Sequence, residues 1–507
     1  MGALAACAIV LVAASGCGSF GAAEAPTSEG GIGLGDVAVE PPRPRDVRVE
    51  VGWPALADLD PAKDLRLTTI VVVVTDATDP SRKAEKRLGA DDRGPYDFAQ
   101  LDTSSVVDVT VELREASGRI LGYGERRRWN LSTSKTVPVA ARRPLLYFTS
   151  ADRDDGQLRT FDLAPASEAE PKMKELVLPA FASLSGPRAL YVTTDGLFLV
   201  QAGQARQVGG NGAAQLKVFD TGTHALTKTI PLKDRLSAAI PLGDGHRVLG
   251  APAAAAMATT FALTDIDSAT TAELPTGLQG GAITVAAIAA SPDGARVAAV
   301  GSYASGGGEV PYAFTYDVGS TTVSSTKLSD LVDLVRGVRF KPDGNTIVVA
   351  GATNAAGWAT GKLLFFTATG GTLTQPTRTI LLEAGKTRVS SVTIDPDGTF
   401  AYVGNELRYT NGQTCCGDLR VIDLASCNQA LQVDSGTSGP EFELLDATRL
   451  PYGAHRVIVG QSDNGNNVHG AFVELVPRSA TPIAIGYVAN GDIGSVSALT
   501  TPFGTRF

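Results

Sequence analysis

At 507 residues the chain is too long for one ordinary hydrophobic core, so several domains or one large repeat array is expected. Its 56 Gly and 28 Pro, with 19% charged residues, favour many short elements separated by turns. A net charge of −9 and a pI near 5.2 argue against a nucleic-acid partner, which needs a basic surface to displace counterions from phosphates.

Residues 1–17, MGALAACAIVLVAASGC, carry no charged side chain. Their apolar run is too short to cross a bilayer and reads as the h-region of a signal peptide. The Ala-Ser-Gly-Cys ending resembles a bacterial lipoprotein signal, which implies acylation at Cys17. Ala14 stands where Leu is usual and no Lys or Arg precedes the run, so a buried helix with an incidental Cys stays open as the alternative. Gly18 is not the Asp of an inner-membrane retention signal, so the resemblance implies the outer membrane. Residues 18–44 are rich in Gly, Ala and Pro without periodicity, a flexible tether that stiffens at Pro41-Pro42.

The texture changes at Asp46. Runs such as DVRVEVGW, LRLTTIVVVVTDAT and VVDVTVELREASGRILGYGERR alternate apolar and polar residues and carry hairpin signals. About seven strands over residues 45–142 is the size of an immunoglobulin-like β-sandwich. Ser81 to Gln100 is polar and is expected as a long loop. The ERRRW stretch at Glu125–Trp129 is expected as a solvated strand edge, because residues 45–143 hold 17 Lys/Arg against 16 Asp/Glu.

Beyond Arg143 one short pattern recurs. LYVTTDGLFLVQAG, IPLGDGHRVLGAP, IAASPDGARVAAVG, VRFKPDGNTIVVAG and VTIDPDGTFAYVGN each place a turn glycine between two strands, at Gly196, Gly245, Gly294, Gly344 and Gly398. A degenerate copy has Gly453, and the spacings are 49, 49, 50, 54 and 55. A repeat of this length with four strands per unit is the signature of a β-propeller blade. Pro presets φ, Asp bonds the local backbone and Gly accepts positive φ, so the acidic turn is read as backbone geometry. LLYFTSAD and GQLRTFDLAP supply a first blade that lacks its first strand, and GSVSALTTPFG at the C-terminus is a lone strand that would complete it. The expected fold is therefore all-β: a sandwich, then a seven-bladed propeller over 143–507 closed by the C-terminal strand. Six or eight blades stay open as alternatives.

AYVGN followed by LRVIDLAS resembles the YVTN-type bacterial β-propeller repeat over residues 144–507. These families are typically exported, and related propellers include lactonases that open sugar-acid lactones. Trp-Asp and Gly-His marks of WD repeats are missing, and one Trp, Trp358, falls in the repeats.

Uniform first turns contrast with variable connections between the second and third strands, where binding is normally placed on a rigid scaffold. That face offers Arg206, Tyr303, Trp358, Arg408, Tyr409 and His469. The four His (224, 246, 455 and 469) show no metal-ligand spacing, and neither GxSxG nor a P-loop occurs. No metal, cofactor or catalytic residue is assigned. Cys416 and Cys427 flank a strand and lie too far apart for a bridge, so a vicinal Cys415–Cys416 disulfide with Cys427 free is expected in an oxidising compartment. The expected function is a monomeric, lipid-anchored binding or scaffolding protein that meets an envelope protein or polysaccharide. A lactonase-like hydrolase is the alternative.

Overall fold

The computed structural model describes residues 39–150, 158–162, 174–175, 185–207, 210–232, 236–243, 245–252, 259–305, 308–355, 358–368, 373, 375–382, 388–395, 397–410, 413–415, 418–434, 441–449, 455–462, 471–474, 484–487 and 496–500. Residues 1–38 lie outside the described residues, Cys17 with them. Apart from two short 3-10 turns, the regular elements among the described residues are all strands.

Seven strands come first: β1 (Arg43–Gly52), β2 (Leu67–Asp76), β3 (Lys83–Gly89), β4 (Tyr96–Thr103), β5 (Val106–Glu115), β6 (Ile120–Asn130) and β7 (Thr136–Ala140). They form two sheets, in the orders β4-β1-β7 and β3-β2-β5-β6. Alternate residues of β5 (Val107, Val109, Val111 and Leu113) are fully buried. Val47, Val49, Phe98, Val137 and Val139 meet them from the other sheet, so one core lies between the two. The strand order is not the immunoglobulin one. There the first strand shares a sheet with the second and fifth, whereas here the second and fifth pair with the third and sixth.

The stretch expected as a loop, Ser81 to Gln100, instead supplies β3 and most of β4. β3 reads KAEKRLG and is mostly exposed at the edge of its sheet. Charge on an edge strand blocks further pairing, and it also erases the apolar alternation by which a strand is recognised.

Four-stranded antiparallel sheets then follow one another in chain order. The second to the seventh open with leading strands Ser185–Val192, Leu236–Leu242, Ala282–Ala290, Leu334–Phe340, Arg388–Ile394 and Glu441–Arg449. The first sheet takes its leading strand from the C-terminus: Val496–Thr500 pairs antiparallel with Leu145–Ser150. Each leading strand touches the next, and Val496–Thr500 touches both Ser185–Val192 and Glu441–Arg449. The repeat is a β-propeller repeat, one four-stranded sheet per period.

Cores lie between neighbouring sheets. Along Thr346–Ala355, Ile347 and Val349 join the core shared with the fourth sheet, while Val348 and Ala350 join the core shared with the sixth. All four are at most 1% exposed. Burial on both faces explains the continuous run TIVVAG, where a one-sided sheet would alternate. Each buried Val or Ile contributes about 1.5–3 kcal/mol.

The first turn of each repeat behaves as its residues dictate. Gly196, Gly245, Gly294, Gly344 and Gly398 have φ of 71°, 86°, 67°, 68° and 69°, a region costly for any residue with a Cβ. A Cβ on Gly294 would also collide with the backbone of Gly243. Asp343 Oδ1 accepts from Asn345 N at 2.8 Å and Thr346 N at 3.0 Å, so this turn carboxylate is spent on the backbone.

Candidate functional site

Antiparallel strand order puts the connection between second and third strands at one end of every sheet and the first turn at the other. At the connection end the structure corrects the expectation of loops. Phe198–Gln207 pairs with Gly210–Asp220 to its tip, Gln207 opposite Gly210. Arg296–Ser305 pairs with Gly308–Asp317, and Thr346–Ala355 with Trp358–Thr367, in the same way. In the sixth sheet Phe400–Thr410 continues past its partners to meet Gln413–Cys415. Each connection is two residues long: Val208-Gly209, Gly306-Gly307, Ala356-Gly357 and Asn411-Gly412. Glycine second in a two-residue loop is the strongest short-range hairpin signal. In the fifth sheet the ladder to the fourth strand ends at Lys362, while the second and third strands stay paired out to Ala355 and Trp358.

The candidate residues sit on these ribbons. Arg206 stands opposite Asn211, Trp358 opposite Ala355, Arg408 opposite Cys415 and Tyr409 opposite Thr414. Their side chains, with His469 and Cys416, lie outside the described residues. Tyr303 is described and is not a free face residue. It is 9% exposed, its hydroxyl donates to the Gln279 carbonyl, and its ring packs edge-on to Tyr312 at 5.7 Å. Cys427 is in no disulfide among the described residues, and its thiol accepts from Arg378.

At the opposite end the N-terminal sheets rest on the second sheet of the repeat. Arg142 Nε donates to Thr221 Oγ1 at 2.7 Å, and its Nη1 to the Gly52 carbonyl at 3.1 Å. Leu59 packs with Leu145, Tyr147, Leu190, Leu199 and Phe219 in one small core. Burial lowers the Arg142 pKa, neighbouring acidic groups opposing it, and raises that of Tyr147. Burial likewise pushes His224, whose Nε2 lies 3.1 Å from the Tyr147 hydroxyl, down to about 4.

Beside this core Arg126 Nη1 donates to Asp195 Oδ2 at 2.9 Å. The ERRRW stretch is therefore partly a contact between the N-terminal sheets and the repeat and not only a solvated edge. Burial works to raise the Asp195 pKa, but hydrogen bonds from His246, Thr193 and the Leu197 amide outweigh it and hold the carboxyl at about 2. His246 reaches Asp195 with Nε2 at 3.2 Å and Asp267 with Nδ1 at 2.9 Å. A ring with one N–H serves one carboxylate; the imidazolium serves both. Its charges are matched and its donors committed, which makes this end an interface. The adjacency was invisible in sequence because Arg142 and Thr221 are 79 residues apart. Among the described residues no group of three or more His, Cys, Asp or Glu could hold a metal ion.

No protein-family model and no curated protein matches the chain. Among solved structures it is similar to hydrazine synthase of Kuenenia stuttgartiensis, with 16% identity, 65% of this chain and 95% of that one covered, and a TM-score of 0.44. A putative 6-phosphogluconolactonase from Bacteroides uniformis shares 16% identity over 68% of this chain and 99% of its own, with a TM-score of 0.41. The β-propeller domain of Cps50 (Swd1) from Myceliophteria thermophila shares 10% over 59% and 86%, again with a TM-score of 0.41. At such identities and TM-scores the likeness does not reach activity.

Proposed function

We propose that the chain is an exported, lipid-anchored binding protein of the bacterial cell envelope. In this reading Cys17 carries the acyl anchor at the outer membrane, residues 18–44 form the tether and residues 45–142 are a sandwich module. Residues 143–507 form a seven-bladed YVTN-type propeller, closed where Val496–Thr500 pairs with Leu145–Ser150. The observation that carries the reading is the contrast between the two ends of the sheets. One end holds two-residue hairpins in the second, fourth, fifth and sixth sheets, those of the second, fifth and sixth reaching past the pairing of the first strand, while the other is engaged by Arg126 and Arg142. A rigid ring that presents ribbons on one face suits recognition of an envelope protein or polysaccharide.

The test compares capture from envelope extracts by the whole chain and by a variant whose fourth, fifth and sixth hairpins are shortened by two residues per strand. Retention of a partner by the first and its loss by the second is expected, together with acyl labelling that disappears in Cys17→Ala. Equal capture by both chains overturns the reading of the face. Hydrolysis of a sugar-acid lactone by the purified chain would replace it with the hydrolase reading.

A further inference from the structure

The N-terminal module is open along one side. Its two sheets end there in β3 and β4, and no ladder joins these edge strands. Two cationic side chains strap the gap. Lys86 Nζ crosses from β3 to the Asp97 carbonyl at 2.5 Å, with its ammonium over the Phe98 ring. Just before β3, Arg82 Nε donates to Asp79 Oδ2 at 3.1 Å, and its Nη1 reaches Asp102 Oδ2 on β4 at 3.5 Å. A cleft of about 220 Å³ opens here. Its floor is Val74 of the module's core, with Ala84 and Leu101 packed against that core.

The cleft carries charge of both signs. Asp76 lines it, but its carboxylate is already committed: Oδ1 accepts from the Thr78 amide at 2.7 Å, and Oδ2 from the Ser104 amide at 2.5 Å and Thr103 Oγ1 at 3.2 Å. Asp102 and Lys83, also lining it, have capacity to spare. The exposed Asp102 carboxylate meets Arg82 alone among the described residues, at the long limit of a hydrogen bond, and the Lys83 ammonium has no partner among them. A contact this long between exposed groups is worth little, and a better partner displaces it. A plain anion placed here meets Asp102, and a plain cation meets Arg82 and Lys83; a molecule with both charges complements each side. Charge along β3 blocks an added strand. The volume is also below the roughly 300–1,000 Å³ of clefts that take drug-sized ligands, so the occupant is a small molecule.

We propose that this cleft binds a small aliphatic α-amino acid. The ammonium goes to Asp102, and the carboxylate to Lys83 and to Nη2 of Arg82, which no described residue engages. The aliphatic side chain lies on Val74, Ala84 and Leu101. The ligand enters between Arg82 and Asp102 and replaces their 3.5 Å contact with charge-assisted bonds to both. The site belongs to the N-terminal module, so it goes beyond the function proposed for the hairpin face and does not depend on it.

The test is calorimetric titration of the whole chain with L-valine and, separately, with isobutylamine and isovalerate, which keep the valine side chain but carry one charge each. Saturable binding of L-valine is expected, at least tenfold tighter than that of either analogue. Asp102→Asn, at an exposed position, should weaken L-valine at least tenfold and strengthen isovalerate, because the repelling carboxylate is gone. Ala84→Leu, which fills the floor, should abolish binding. Arg87→Gln, on the same strand but paired with Glu85 in solvent, should change it less than twofold. Absence of saturable L-valine binding, equal affinity for either analogue, undiminished binding by Ala84→Leu, or equal weakening by Asp102→Asn and Arg87→Gln overturns the proposal.

Discussion

The two all-β regions bury their strands differently. In the N-terminal module a sheet has one inward face, so β5 alternates between buried and half-buried residues. In the repeat a sheet lies between two others, so Thr346–Ala355 buries consecutive residues against opposite neighbours. A one-sided strand tolerates change at every second position, and a two-sided strand at almost none. A second contrast runs along each sheet, between first turns that repeat one geometry and hairpins that do not.

Substitutions can break these contrasts. The largest effect is expected for Gly294→Ala, which adds positive-φ strain to a collision with the Gly243 backbone. It should lower the melting temperature far more than Gly277→Ala, also at positive φ (75°) but facing open space, which should cost about 1–2 kcal/mol. Leu363→Ala, fully buried between the fifth and sixth sheets, should cost about 2–5 kcal/mol. In calorimetry its effect should fall on the transition of the repeat, and that of Leu113→Ala on the N-terminal module. A single shared shift would show that the two regions unfold as one.

Acid sharpens the comparison at the junction. His224 has its pKa depressed to about 4, so the folded state binds fewer protons than the unfolded one across that interval. Its stabilisation is complete above the ordinary histidine range and is lost as pH falls toward 4. Asp195, held at about 2, adds a further loss below the ordinary carboxylate range. Thermal midpoints from pH 7.5 to 4 should fall, and His224→Gln should flatten the part between about 6.5 and 4. Arg126→Ala should cost about 1–2 kcal/mol by leaving the buried Asp195 short of a donor, and should speed proteolysis near residues 141–144. The smallest effect, under about 1 kcal/mol, is expected for Asp343→Asn, whose amide oxygen can still accept from the turn amides.

How much of this was legible follows from the range of the forces. The turns were readable because Pro, Asp and Gly act on their own backbone, and the continuous apolar runs marked two-sided burial. The hairpins were misread because Gly and polar residues mark both loops and two-residue turns; Asn411-Gly412 flanked by Thr410 and Gln413 needed the register to decide. β3 was missed because an edge strand hides its pattern under charge. Tyr303 looked like a ligand-face aromatic, and only the Gln279 carbonyl beside its hydroxyl shows its structural role.

The pairing of Val496–Thr500 with Leu145–Ser150 has a kinetic consequence. The strand that completes the first sheet lies far along the chain from the strand it pairs with. Until it arrives, Leu145–Ser150 presents an open edge with Tyr147 and Leu145 ready to template other chains. So distant a contact is slow to form. A chain cut before Val496 should therefore fail as an aggregate more than as a loosened monomer.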